Sequence, residues 1–83
     1  MYVYCYIIET SSGRYYTGIA KDIQKRFLQH CKSRSVFFRH NTALRVIYSR
    51  RFGSYVDARK LEVYVKSIGA RRFLAGTLQL KGK

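Results

Sequence analysis

Seven consecutive β-formers open the chain after its first residue, Tyr2-Val3-Tyr4-Cys5-Tyr6-Ile7-Ile8, and no other stretch restricts the fold as much. Strict alternation puts Tyr2, Tyr4, Tyr6 and Ile8 on one face and Val3, Cys5 and Ile7 on the other. Both faces are apolar or aromatic, so the segment reads as a central strand covered on both sides. Thr10-Ser11-Ser12-Gly13 is a turn signal that folds it back, through a hairpin, into Arg14-Tyr15-Tyr16-Thr17. The hairpin brings Tyr6 and Tyr16 into one neighbourhood, although their register is not fixed by sequence. Gly18 is expected to let the backbone leave the sheet with no side chain in the way.

A helix is predicted from about Lys21 to Cys31, with Asp22 near its start, where the helix dipole favours a carboxylate. Its apolar stripe is Ile23, Phe27 and Cys31, and Arg26 and His30 flank it one turn apart. Arg26 therefore borders the core, either reaching past it into solvent or joining the tyrosines and His30 at one concave spot. Residues 32–42 lack a period and interleave Arg34, Phe37, Phe38, Arg39 and His40. In a loop, such a mixture can pair cations with phosphates and offer rings to bases, or the phenylalanines can simply anchor the loop on the core. Leu44 to Phe52 reads as a third strand, with Leu44, Val46 and Tyr48 alternating against Arg45 and Ile47. Ser54-Tyr55-Val56-Asp57 fits a capping box at the start of a second long helix, which runs to Ser67 or Ile68 and is broken by Gly69. A short helix from Ala70 to about Leu74 and a basic tail, frayed from about residue 76, complete one domain over 1–83.

Eighty-three residues allow a single core, since a chain this short buries only about 60–65% of its unfolded surface. Seventeen Lys and Arg against four Asp and Glu leave a formal charge of +13, which repels itself in a compact state and points to a polyanionic partner. Nucleic acid is the first choice and an acidic membrane surface a distant second. No run approaches the ~18 apolar residues of a membrane span, and Met1-Tyr2-Val3-Tyr4 is unlike a secretory signal, so an intracellular protein is expected. Cys5 and Cys31 have no metal-ligand spacing and read as free buried thiols.

With so few acids, each can be assigned. Asp22 and Asp57 belong to helix starts, and Glu9 lies at a strand end beside a turn. Glu62 falls within the arc of Ala58, Leu61, Val65 and Ile68, on the core-facing side of its helix. A carboxylate there costs several kcal/mol unless a cation offsets it. That cation could be a Lys or Arg, or a divalent metal facing the tyrosine and arginine cluster. One carboxylate is enough for Mg²⁺ only because this ion keeps several waters and takes phosphate oxygens from a substrate. A single-metal phosphodiesterase site is thus reasonable, and a two-metal site would lack ligands.

The ordered set Tyr6, Tyr16, Gly18, Arg26, His30 and Glu62 resembles the GIY-YIG nuclease superfamily, most closely its small stand-alone members. Tyr4-Cys5-Tyr6 corresponds to the first family triplet and Tyr16-Thr17-Gly18 to the second. Asp22, Arg26 and His30 match the helix motif and Glu62 the metal-binding glutamate, within a resemblance spanning about Tyr2 to Phe73. It implies an α+β fold, a three-stranded antiparallel sheet flanked by helices, and hydrolysis of DNA phosphodiesters with one Mg²⁺ or Mn²⁺. Carried over, Tyr6 or Tyr16 would be the general base, Arg26 would stabilise the phosphate, His30 would handle protons or phosphate, and Glu62 would hold the metal. A free phenol is only roughly 0.1% ionised at neutral pH, so Arg26 or the metal is expected to favour the phenolate. Lys21, Lys25, Arg34, Arg39 and Arg45 are the expected nucleic-acid contacts.

Three positions depart from the family pattern: Tyr4 stands where the first triplet has glycine, Ile19 where some repair nucleases have lysine, and no asparagine follows Glu62. They motivate an alternative in which the fold binds nucleic acid without turnover. The aromatic and basic loop keeps RNA open as ligand. Without a separate reading domain, a monomer or weak homodimer would select DNA by shape, or a partner protein would target it.

Overall fold

The computed structural model describes the backbone of residues 2–33 and 35–81, and the side chains of these residues other than 36 and 77–81. Strand β1 (Val3–Thr10) lies between β2 (Tyr15–Ala20) and β3 (Ala43–Phe52), and both pairings are antiparallel. The first strand is thus central, as its two apolar faces require. Cys5, Tyr6, Ile7 and Ile8 are all buried. On the face of Tyr6 and Ile8, the core takes in Ala20, Phe38 and Ala43, with Tyr16, Ile23 and Phe27 packed against it.

The hairpin turn is built by local polar groups. Gly13 has φ +86°, a conformation that a side chain would strain, and its N–H donates to the Thr10 carbonyl at 3.0 Å. Ser12 Oγ donates to Asn41 Oδ1, and Ser11 exchanges bonds with the backbone of Thr42, tying the turn to the start of β3. β2 continues past Gly18 to Ala20. The expected exit from the sheet at Gly18 is therefore wrong, for a reason that belongs to the site below.

Helix α1 (Ile23–Cys31) is capped by Asp22, whose Oδ1 accepts from the Lys25 N–H at 3.0 Å. Cys31 ends it exposed, where sequence led us to expect a buried thiol; Cys5 is buried, which pushes its thiol up to about 11. The stretch read as an irregular loop contains a helical turn, α2 (Val36–His40), because Ser35 caps it and accepts from the Phe38 N–H. β3 carries two irregularities: Ile7 and Ile8 pair with Tyr48 and Val46, and Glu9 and Thr10 with Arg45 and Ala43, which leaves Ile47 and Leu44 as extra residues. The expected alternation fails there, and Leu44 is exposed instead of sharing the buried face.

Helix α3 (Tyr55–Ile68) begins at the predicted Ser54 cap, whose Oγ accepts from the Asp57 N–H at 3.2 Å. Ala58 and Val65 are fully buried. Gly69, φ +92°, ends the helix with its N–H on the Val65 carbonyl at 2.8 Å. α4 (Ala70–Lys81) follows, and its Phe73 ring meets Tyr48 edge-on at 5.2 Å. A short helix ending near Leu74 was expected; the backbone stays helical to Lys81, since no proline interrupts it and one interior glycine, Gly76, costs only about 1 kcal/mol. Among the described residues no helix is long and apolar enough to cross a membrane.

Candidate active site

The register across the hairpin puts Tyr6 opposite Gly18 and Tyr16 opposite Ile8, so the two phenols stand diagonally on one face of the sheet. Their ring centroids are 6.4 Å apart. Gly18 is where they need room: a Cβ built on it would lie 2.7 Å from Tyr6 Oη, 2.9 Å from Tyr6 Cζ and 3.1 Å from Tyr16 Cε2. The glycine serves close approach within a strand and not a turn. Its missing side chain is the space that the Tyr6 hydroxyl occupies.

From α1, His30 reaches back to this pair, with its Nε2 2.9 Å from Tyr6 Oη. Burial and the nearby Arg26 hold the imidazole below its usual value, so at neutral pH it is uncharged. Burial, reinforced by Tyr16, pushes the Tyr6 phenol well above the usual tyrosine range, and Arg26 offsets this only in part. Arg26 acts in the expected direction, favouring the Tyr6 phenolate, but alone it is outweighed by the loss of water around a residue only 1% exposed. Tyr6 is the donor in the tautomer that leaves His30 Nε2 without a proton, and the acceptor in the other. An aromatic wall holds the imidazole: Phe38 stacks on it at 4.4 Å and Tyr16 meets it edge-on at 4.8 Å. Phe38 belongs to α2, the element that the sequence did not disclose. Its signal was Ser35 placed three residues before it.

Tyr6, Tyr16, Gly18 and Arg26 line a cleft of about 310 Å³, which α3 closes with Tyr55, Arg59 and Glu62. The helix repeat produces that closure, since Tyr55, Arg59 and Glu62 follow one another at spacings of four and three. Neither Tyr55 nor Arg59 was singled out from sequence, although counting back from Glu62 by helical spacing finds both. Glu62 is only 8% exposed. Its Oε1 lies 3.6 Å from Arg59 Nε and its Oε2 3.3 Å from Lys66 Nζ, so the alternative of an ion pair is realised, and both cationic partners are more than half exposed.

The other expected contacts divide. Lys21 and Lys25 line a second cleft beside the first, together with Arg26. Arg45 lies away from both clefts, on β3, where its Nε donates to Glu9 Oε1 at 2.7 Å in a cross-strand ion pair. Arg39 is exposed on α2. Arg34 lies outside the described residues.

Among the described residues no group of three His, Cys, Asp or Glu is gathered that could enclose a metal ion. The donor set still suits one hard, hydrated cation, because Glu62 is a lone carboxylate on an open cleft with space for waters and a phosphate. It does not suit zinc, which asks for three or four protein ligands.

Residues 2–72 match the family model described as the GIY-YIG catalytic domain. A UPF0213 protein of Cupriavidus necator is 30% identical over 78 residues, which cover 93% of this chain and 85% of that protein. A UPF0213 protein of Cupriavidus pinatubonensis is 32% identical over 94% of this chain and 88% of its own length. The solution NMR structure of a UPF0213 protein from Bacillus halodurans has a TM-score of 0.59 and 30% identity, over 99% of this chain and 87% of that one.

Proposed function

The chain belongs to the GIY-YIG family, a family of nucleases, and from that premise we propose that it is a metal-dependent endonuclease cutting DNA, selective for structure and not for sequence. The observation that carries this reading is the convergence of Tyr6, Tyr16, Arg26 and Glu62 on one cleft. The net charge of +13 supports a polyanionic substrate.

In this reading Arg26 binds the scissile phosphate and stabilises the charge that grows on it in the transition state. Glu62 would hold Mg²⁺ or Mn²⁺, and its present partners Arg59 and Lys66 are long and exposed enough to leave its oxygens free for that role. When bound, the ion supplies Lewis-acid stabilisation of the phosphate and of the leaving oxygen. Tyr6 takes a proton from the attacking water as its own proton passes to His30 Nε2, a relay that the 2.9 Å bond supports and that requires no standing phenolate. Tyr16, on the cleft wall, is the other candidate base. Tyr6→Phe and Tyr16→Phe compared side by side distinguish them.

The test is incubation with branched, flapped and plain duplex DNA in Mg²⁺, with matched RNA as competitor. We expect cleavage that Glu62→Ala and Arg26→Ala each strongly reduce; activity indifferent to both substitutions would dispose of the site. A second reading, a binding module without turnover, is favoured by the ion pairs that hold both Glu62 oxygens. It requires binding that weakens steeply with salt and no cleavage with any divalent ion. The protein acts inside the cell as a monomer or weak homodimer, and a partner protein supplies any targeting beyond shape.

A further inference from the structure

Beside the tyrosine–glutamate cleft lies a larger one of about 450 Å³, within the size range of small-molecule sites. Val3, Ile19 and Ala20, from the ends of β1 and β2, give it an apolar floor. Lys21 and Lys25 stand on its rim. Ile19, Arg26 and Tyr55 line both clefts, so the two adjoin at the guanidinium proposed to hold the scissile phosphate. Tyr55, the first residue of α3, is more than half exposed, a large ring left open to water beside three cations.

An apolar floor, an open aromatic ring and a cationic rim match one kind of occupant: a base on its sugar-phosphate chain, with stacking for the ring and ion pairs for the phosphate. Asp22 also lines this cleft, but its Oδ1 is committed to the Lys25 N–H as the α1 cap, and the flanking lysines outnumber it. A base inside a duplex has both faces covered by its neighbours and cannot enter.

Building on the nuclease reading, we infer that this second cleft takes the base of the nucleotide adjoining the scissile phosphate, stacked on Tyr55 with its phosphate between Lys21 and Lys25. The substrate class narrows accordingly. The strand that is cut must carry an unpaired, unstacked nucleotide next to the cut, as at a flap, a loop or a single-stranded end.

The experiment uses duplexes with one 2-aminopurine, either unpaired at a flap junction or paired within the helix, titrated with the protein in EDTA so that nothing is cut. Binding should change the fluorescence of the unpaired probe and leave the paired one nearly unaltered. Tyr55→Ala should reduce the preference for flapped over paired DNA by about tenfold to a hundredfold, and Tyr55→Phe, which keeps the ring, should retain it. An unpaired probe blind to binding, or a preference that Tyr55→Ala leaves intact, would overturn the inference. Failure of the nuclease reading looks different: the fluorescence change would persist in EDTA while no Mg²⁺-dependent product appeared.

Discussion

Replacing Gly18 with alanine tests the packing of the two phenols directly. The position sits inside β2, outside the left-handed backbone region, so alanine brings no backbone strain and on an open strand would stabilise by about 0.4–1 kcal/mol through the unfolded chain. Here its methyl would lie 2.7 Å from Tyr6 Oη and 2.9 Å from Cζ, closer than carbon atoms tolerate. Tyr6 has little freedom to retreat, since it is 1% exposed and its hydroxyl is held by His30. Overpacking of this kind costs about 1–3 kcal/mol, and a weakened Tyr6–His30 bond adds about 1 kcal/mol. The net loss is about 1–3 kcal/mol, which in a domain of this size lowers the melting temperature by roughly 5–20 °C. Thermal unfolding followed by circular dichroism measures it. Two companions sharpen the result. Gly53→Ala, where a methyl meets nothing within 4 Å, should be neutral or slightly stabilising. In a Tyr6→Phe background the closest clash disappears, so Gly18→Ala should cost less there. A Gly18→Ala protein as stable as its parent would refute the close approach, and with it the placement of the Tyr6 hydroxyl.

Glu62→Ala should lower Mg²⁺-dependent cleavage by roughly 10²–10³-fold, the usual effect of removing a main electrostatic contributor, while far-ultraviolet circular dichroism shows the helices retained. Stability should fall at both ends of the pH range, for opposite reasons. Because burial and Arg26 hold folded His30 below its ordinary value of 6.5, its contribution is complete above about 6.5 and is lost as pH drops through the folded value; the melting temperature at pH 5.5 should lie below that at 7.5, by a smaller margin in His30→Gln. Tyr6 is raised above 10.0, so its contribution is complete below about pH 10 and is lost as pH climbs through the folded value; absorbance at 295 nm should show one tyrosine ionising only as the fold is lost. Replacing Lys21 and Lys25 together by alanine should reduce the slope of log binding constant against log salt by about 2, read by fluorescence anisotropy at several salt concentrations.

Those features that rest on a repeated local signal were legible in the sequence. Alternation along Tyr2–Ile8 gave the central strand, the Ser54–Asp57 spacing gave the start of α3, and helical periodicity put Glu62 on an inward face, where it lies 8% exposed. What was missed depends on register or on solvent. Gly18 has two ordinary uses, a turn or a close approach, and only its pairing with Tyr6 decides between them. The extra residues Leu44 and Ile47 shift the alternation of β3 in a way that no local composition announces. The upward push on the Tyr6 phenol comes from how completely its neighbours exclude water, and sequence gives the neighbours' identities without their packing. Arg59 escaped notice because a basic residue among seventeen carries little information until a carboxylate is found beside it.

The buried phenol stands on β1, the strand that is hydrogen-bonded along both flanks. Backbone bonded along both flanks has little freedom to yield, so adjustment to an incoming chain of nucleotides falls to something else. The pliable parts are Arg26, Arg59 and Lys66, long side chains with exposed ends on helices. Tolerance for differently shaped ligands would then be tuned on the helical surface at small expense, whereas a change beneath Tyr6 would unsettle the whole sheet before it altered any preference.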